Sequence, residues 1–138
     1  MQAMEISRTG LDVEWRRLEV IAQNLANANS SAAAGAQPYQ ALRLVSGPRF
    51  ADHLSGGAAS LGGVQVYGVE PSGDAPRRVH EPGNPNADAQ GYVSYPGVDH
   101  AAEMTLMVTT SRAYEANVVA MNTARQMYLK ALELGRSA

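Results

Sequence analysis

His80 and Glu81 stand side by side in "HEPGNP", and an imidazole next to a carboxylate is the smallest general acid–base pair a chain can offer. No nucleophile, phosphate-cradling loop or second positioned carboxylate accompanies them, so a small hydrolase is the weaker reading. The other histidines, His53 and His100, are far away in sequence and none has a ligand-spaced neighbour of the HExxH kind. They read as solvated or structural side chains. "NPNADAQG" presents oxygens at Asn84, Asn86 and Asp88, yet it lacks the glycine after the third ligand and the closing glutamate of a calcium loop. A turn is expected there. With no cysteine, disulfides and thiolate metal sites are excluded. The expectation is a protein without catalytic groups, cofactor or metal.

A different set of polar residues has no such bland explanation. "QNLANAN" places Asn24, Asn27 and Asn29 late in an apolar-periodic segment, and Asn117 and Asn122 interrupt a second one. Helix propensity argues against them. Asn29 suits a helix C-cap, whereas Asn24 and Asn117 have helix-forming sequence on both sides. A buried amide in a helix–helix contact costs stability but sets register, because a slipped partner leaves it unpaired.

The elements that position these amides follow from composition. All seven prolines fall between Pro38 and Pro96, and eleven of thirteen glycines between Gly35 and Gly97, so the ends can be helical and the middle mostly cannot. At the N-terminus Met4, Leu11, Leu18 and Leu25 repeat every seven residues, with Trp15, Ile21, Ala22 and Ala28 at the intermediate spacing. Gly10 interrupts this stripe, and Asp12 and Arg16 lie at i,i+4. At the C-terminus Met107, Tyr114, Met121 and Tyr128 repeat in the same way, with Ser111, Val118 and Leu132 on the adjoining row. Asp99 is placed as N-cap, Glu103 in the first turn, and Gly135 to end the helix.

Between them "AQPYQALRLV", "GGVQVYGVE", "PRRVH" and "GYVSYP" are short β-leaning runs bounded by glycine and proline. "HLSGGAASLGG", within 51–63, reads as a flexible connector. The predicted architecture is mainly α with a small β-rich insert: an N-terminal helix in 1–30, an irregular β middle in 31–96, and a C-terminal helix in 97–138. The long helices pack as a coiled-coil-like bundle, within the chain or between chains.

Formal charge is −2 with the signs interspersed, so nucleic acid and anionic lipid are not expected partners. No run approaches transmembrane length, and direct membrane insertion is not expected. "MQAMEISRTG" lacks a basic region followed by an apolar one, so any export would proceed without a cleaved signal peptide.

With "VIAQNLANANSS" near one end and "TTSRAYEANVVAMNTARQMYLKALELG" at the other, the chain resembles the bacterial flagellar basal-body rod proteins. The stretch "EPGNPNADAQGYVSYPGVDHAAEM" is similar to that of the proximal-rod C subunit, the FlgC type. Gly97 stands where that type usually has asparagine, Glu81 where it has aspartate, and Trp15 is unusually bulky. The resemblance implies a non-enzymatic structural subunit, exported unfolded by the flagellar type III apparatus and assembled helically into the drive shaft across the periplasm. Terminal helices would form the tube wall, with the insert outward. Implied neighbours are other copies, the B-type and F-type rod subunits, and the adaptor joining rod to membrane ring. The two stripes, with Asn24, Asn27 and Asn117, are the expected assembly contacts. Alternatives are another axial flagellar subunit, or a cytoplasmic coiled-coil adaptor.

Overall fold

A computed structural model describes residues 2–49 and 62–136. The connector expected at 51–63 lies mostly outside these residues. The order is α1 (Gln2–Asn27), β1 (Leu42–Pro48), β2 (Val64–Pro71), β3 (Arg77–His80), β4 (Tyr92–Tyr95) and α2 (His100–Arg136). Each of the four β-leaning runs overlaps one strand, β1 and β2 continuing past the ends of theirs to Pro48 and Pro71.

The helices are about 39 Å and about 56 Å long at 1.5 Å per residue and pack antiparallel on each other. Asn24 meets Glu103, Trp15 meets Tyr114, and Gly10 meets Asn117. This is a hairpin within one chain. At Gly10 the Asn117 side chain takes the space a Cβ would fill: a Cβ there would stand 2.8 Å from Asn117 Oδ1. Its helix-propensity cost of about 1 kcal/mol is therefore offset by contact with α2.

Asp99 caps α2, its Oδ1 accepting from Ala102 N–H at 3.0 Å. Two expected helix ends are different. α1 stops at Asn27, whose carbonyl accepts from both Ser30 N–H (3.0 Å) and Ser30 Oγ (2.7 Å). Among the described residues no non-glycine has positive φ, so Asn29 is not a left-handed cap. α2 passes through Gly135 and is helical to Arg136. Arg16, expected to support Asp12, instead pairs with Glu19 at 2.9 Å, one turn on and equally exposed.

β1 and β2 form one antiparallel pair, with a register irregularity at Val45/Ser46, and β3 and β4 form another. The first pair lies on α1. Thr9 Oγ1 donates to Ile6 O (2.7 Å) and accepts from Val64 N–H (3.1 Å), fixing the start of β2 on the helix. The second is tied to the segment after α1 by Ala32 N–H donating to Ser94 O (3.2 Å). Gly97 faces the Ala75 carbonyl so closely that a Cβ would overlap it. The apolar core is small: Val13, Val20, Ile21, Ala28, Ala41 and Val93.

Candidate assembly interface

Asn24 is 0% exposed, and all four of its hydrogen-bonding positions are used. Nδ2 donates to Leu42 O (2.9 Å) and to Glu103 Oε2 (3.2 Å). Oδ1 accepts from Leu42 N–H (2.9 Å) and Tyr39 OH (2.9 Å). Glu103, 1% exposed, directs its other oxygen at the Arg43 guanidinium. One amide thus joins α1, the start of β1 and the first turn of α2. Burial, and then the Glu103 charge, push the Tyr39 phenol above its ordinary pKa, so Tyr39 remains a donor to Asn24.

The other two asparagines behave differently. Asn27 Nδ2 donates to Gln23 O (2.8 Å) and Asn117 Nδ2 to Ala113 O (3.0 Å), each within its own helix. Asn117 nonetheless packs across the hairpin, against Gly10.

Of the stripe residues, Ile21 is buried, whereas Met4, Leu11, Leu18, Leu25, Met107, Tyr114, Val118 and Met121 are half-buried. Trp15 is 57% exposed, its ring 6.2 Å from that of Tyr114. Met4 and Met121 line one recess of about 370 Å³ with Glu5, Arg8, Asn122 and Arg125. The buried residues are Thr9, Val13, Val20, Ile21 and Asn24 on α1 and Glu103 and Thr110 on α2, so the expected Ile21 and Asn24 are joined by a neighbouring row of smaller side chains. Val13 and Val20, seven apart, were the available sign of it. Nothing local marks Arg43 or Tyr39 as partners of Asn24.

α2 outruns α1. Every described residue from Arg125 to Arg136 is exposed, including Met127 at 67%, Leu132 at 49%, Tyr128 and Leu129. A helix end apolar on several sides is characteristic of one covered by protein in a larger structure.

His80 and Glu81 serve separate contacts. The His80 ring packs edge-on to Tyr92, centroids 5.0 Å apart. Glu81 Oε2 accepts from Asn84 Nδ2 (2.9 Å) and Tyr95 OH (3.0 Å). Those bonds hold the Glu81 carboxyl below its ordinary pKa and raise that of Tyr95. In the turn at 84–91, Asp88 Oδ1 accepts from the N–H groups of Tyr92 and Gln90, 2.9 Å each. These bonds and nearby Arg78 lower its pKa too. Among the described residues no group of three or more His, Asp or Glu is arranged to hold a metal, and no helix is long and apolar enough to cross a membrane.

Two long terminal helices, an apolar overhang and a small β insert are the features of an axial filament subunit, and the sequence comparisons agree. A family model described as flagellar basal body rod FlgEFG protein C-terminal matches residues 89–134. The chain is 43% identical over 136 residues to the flagellar basal-body rod protein FlgC of Escherichia coli O6:H1, covering 99% of this chain and 98% of that one. The Salmonella typhimurium FlgC is 41% identical with the same coverage. The Bacillus subtilis FlgC is 34% identical over 146 residues, covering 97% of each. The chain belongs to the FlgC family of flagellar basal-body rod proteins. It is a structural rod subunit located in the rod of the basal body.

Proposed function

We propose that this rod subunit assembles helically with copies of itself and with B-type and F-type rod subunits and the rod-to-ring adaptor, after export through the flagellar type III apparatus. In this reading it is a torque-transmitting part with no catalytic role. The helical ends, 1–30 and 97–138, build the wall of the shaft, and the insert, 31–96, lies outward. The half-buried stripes and the overhang of α2 form the contacts, while Asn24 acts from inside by holding the hairpin in one register.

The observation that carries the reading is the overhang: Met127, Tyr128, Leu129 and Leu132 are exposed, left uncovered by the described residues of the chain. Leu132→Asp tests it. A carboxylate buried without a partner costs several kcal/mol, and the cost recurs at every copy in a helical array. Cells carrying only this variant are expected to export it, to assemble no complete rods and not to swim. Wild-type swimming, with the variant present in purified basal bodies at normal amount, would overturn the proposal.

A further inference from the structure

The first turns of α1 and the overhang of α2 each carry a row of charges that the described residues leave unpaired. On α1, Glu5, Arg8 and Asp12 follow one another at three- and four-residue steps, which puts them side by side on one face. On the overhang, Lys130, Glu133 and Arg136 do the same at three-residue steps. All six side chains are exposed. Among the described residues none of the six takes part in an ion pair or a side-chain hydrogen bond, although Glu5 with Arg8 and Lys130 with Glu133 stand at i,i+3. The rows are complementary in sign, negative–positive–negative on α1 and positive–negative–positive on α2. They match in length too, about 10.5 Å against about 9 Å at 1.5 Å per residue.

The two rows do not meet within one chain. Gly10 lies against Asn117, and Met4 shares a recess with Met121, so Arg8 is level with the turn of α2 around Val119. Glu133 lies roughly 21 Å further along α2 at 1.5 Å per residue. A second copy pointing the same way, shifted by that distance along the hairpin axis, brings its α2 antiparallel to α1 of the first. Asp12 then stands opposite Lys130 of the second copy, Arg8 opposite Glu133, and Glu5 opposite Arg136. The same alignment sets Trp15, 57% exposed, opposite Met127, 67% exposed. A thioether against an indole is a favourable contact for both.

The geometry points to a contact between copies of this chain in which the overhang row Met127, Lys130, Glu133 and Arg136 of one lies on the row Trp15, Asp12, Arg8 and Glu5 of the next. It rests on the reading above that copies assemble with one another, and it adds which surfaces meet and at what offset. Each exposed ion pair is weak by itself, yet three in a row select one offset. A slip of one helical turn in either direction sets Glu133 against Glu5 or Asp12, and a cation against Arg8. The two surfaces differ, so each copy keeps one of them free for a further copy, and the contact propagates as an open array.

The chain has no cysteine, so an introduced disulfide reads the contact without background. Cells carrying Arg8→Cys with Glu133→Cys are oxidised, and their purified basal bodies are run on non-reducing gels. Two cysteines roughly 21 Å apart in one hairpin cannot bond to each other, so products of two or more chains come from bonds between copies. Such products are expected from this pair, and monomer from either single variant and from Glu19→Cys with Glu133→Cys, displaced by about three turns. Monomer from the Arg8 and Glu133 pair in assembled rods, or equal crosslinking by the displaced pair, would overturn the contact and leave the rod reading standing. Charge exchange decides the matter if the cysteine variant is not incorporated. Arg8→Glu and Glu133→Arg should each lower the number of rods per cell about tenfold with unchanged circular dichroism, and the two together should restore most of it. Single variants that assemble like wild type, or a combined variant no better than the single ones, would overturn the contact as well. Failure of the rod reading itself is seen separately, as swimming by Leu132→Asp cells.

Discussion

Replacing Asn24 with leucine keeps the side chain's approximate size and removes four hydrogen bonds. The groups left behind are Leu42 N–H, Leu42 C=O, Tyr39 OH and Glu103 Oε2. Tyr39 can turn toward water and Glu103 keeps Arg43, so the main loss falls on the two Leu42 groups and part of the Glu103 carboxylate. At about 1–3 kcal/mol for each buried group left unpaired, Asn24→Leu should destabilise the isolated subunit by about 3–6 kcal/mol. That is a large part of the stability of a small domain, typically about 5–15 kcal/mol. In urea, where slopes are about 1–3 kcal/mol per molar, the midpoint should fall by roughly 2 M, read by far-ultraviolet circular dichroism. Adding Glu103→Leu should recover part of the loss, because removing both partners of a buried pair is cheaper than removing one, and Arg43 is exposed enough to be hydrated. A change of under about 1 kcal/mol for Asn24→Leu, or a double variant no more stable than the single one, would refute the assignment of Asn24 as the joint between the three elements.

Gly10→Ala should destabilise the hairpin despite alanine's helix advantage of about 1 kcal/mol, whereas Gly10→Ala with Asn117→Ala should reach or exceed wild-type stability; thermal melts of the four members of the cycle check this. Acid should loosen the β3–β4 region first. The depressed pKa values of Glu81 and Asp88 contribute stability that is complete above the ordinary carboxylate range and is lost as pH falls through the lowered values. A pH titration of the Tyr92 and Tyr95 resonances reads that loss, which Glu81→Gln should blunt. Amide exchange in the isolated subunit should be slowest in α1 from Thr9 to Asn24 and in α2 from Glu103 to Thr110, and fast before Thr9 and after Val118, following burial. Uniform protection along both helices would contradict this gradient.

The strands were readable because glycine and proline bracket each apolar run, and both terminal helices were readable because a seven-residue repeat persists for many turns. The side of the helix that becomes buried was readable only in part, at Ile21, Asn24 and Ala28. The repeat selects the largest apolar side chains, Leu11, Trp15, Leu18, Met107 and Tyr114, and those are half-buried or exposed in the subunit. The β1–β2 pair instead covers a sector of α1 bearing Thr9, Val13 and Val20, where a hydroxyl can hold a strand amide and compact side chains permit close approach. Propensity singled out Asn24 as costly in a helix, and that cost indicated a polar partner. Its identity was beyond local reading: Glu103 has the ordinary appearance of a first-turn acid favoured by the helix dipole, and Arg43 that of a surface cation on a strand. Only the antiparallel fold-back brings residues 79 positions apart into one hydrogen bond.

The two ends of the hairpin are unequal, and that inequality has a mechanical reading. Where α1 ends and α2 begins, one buried amide and one buried carboxylate fix the helices to each other and to β1, so that register cannot change without stranding polar groups. At the far end the contacts are a glycine against an amide and two methionines around an open recess. There α2 continues past the described residues of α1 with apolar side chains exposed. Methionine adapts its shape to irregular contacts at little cost, and half-buried helices can shift without leaving charges unpaired. A subunit built this way presents a fixed end that sets its own geometry and a compliant end that can fit neighbours of differing sequence. Stiffening the compliant end should therefore impair assembly more than it improves folding. Met4→Ile with Met121→Ile, which keeps the recess apolar while removing side-chain freedom, should leave the urea midpoint within about 1 kcal/mol of wild type yet slow or reduce incorporation into purified rods. Full incorporation at the wild-type rate would show that the recess is a passive gap rather than an adaptable contact.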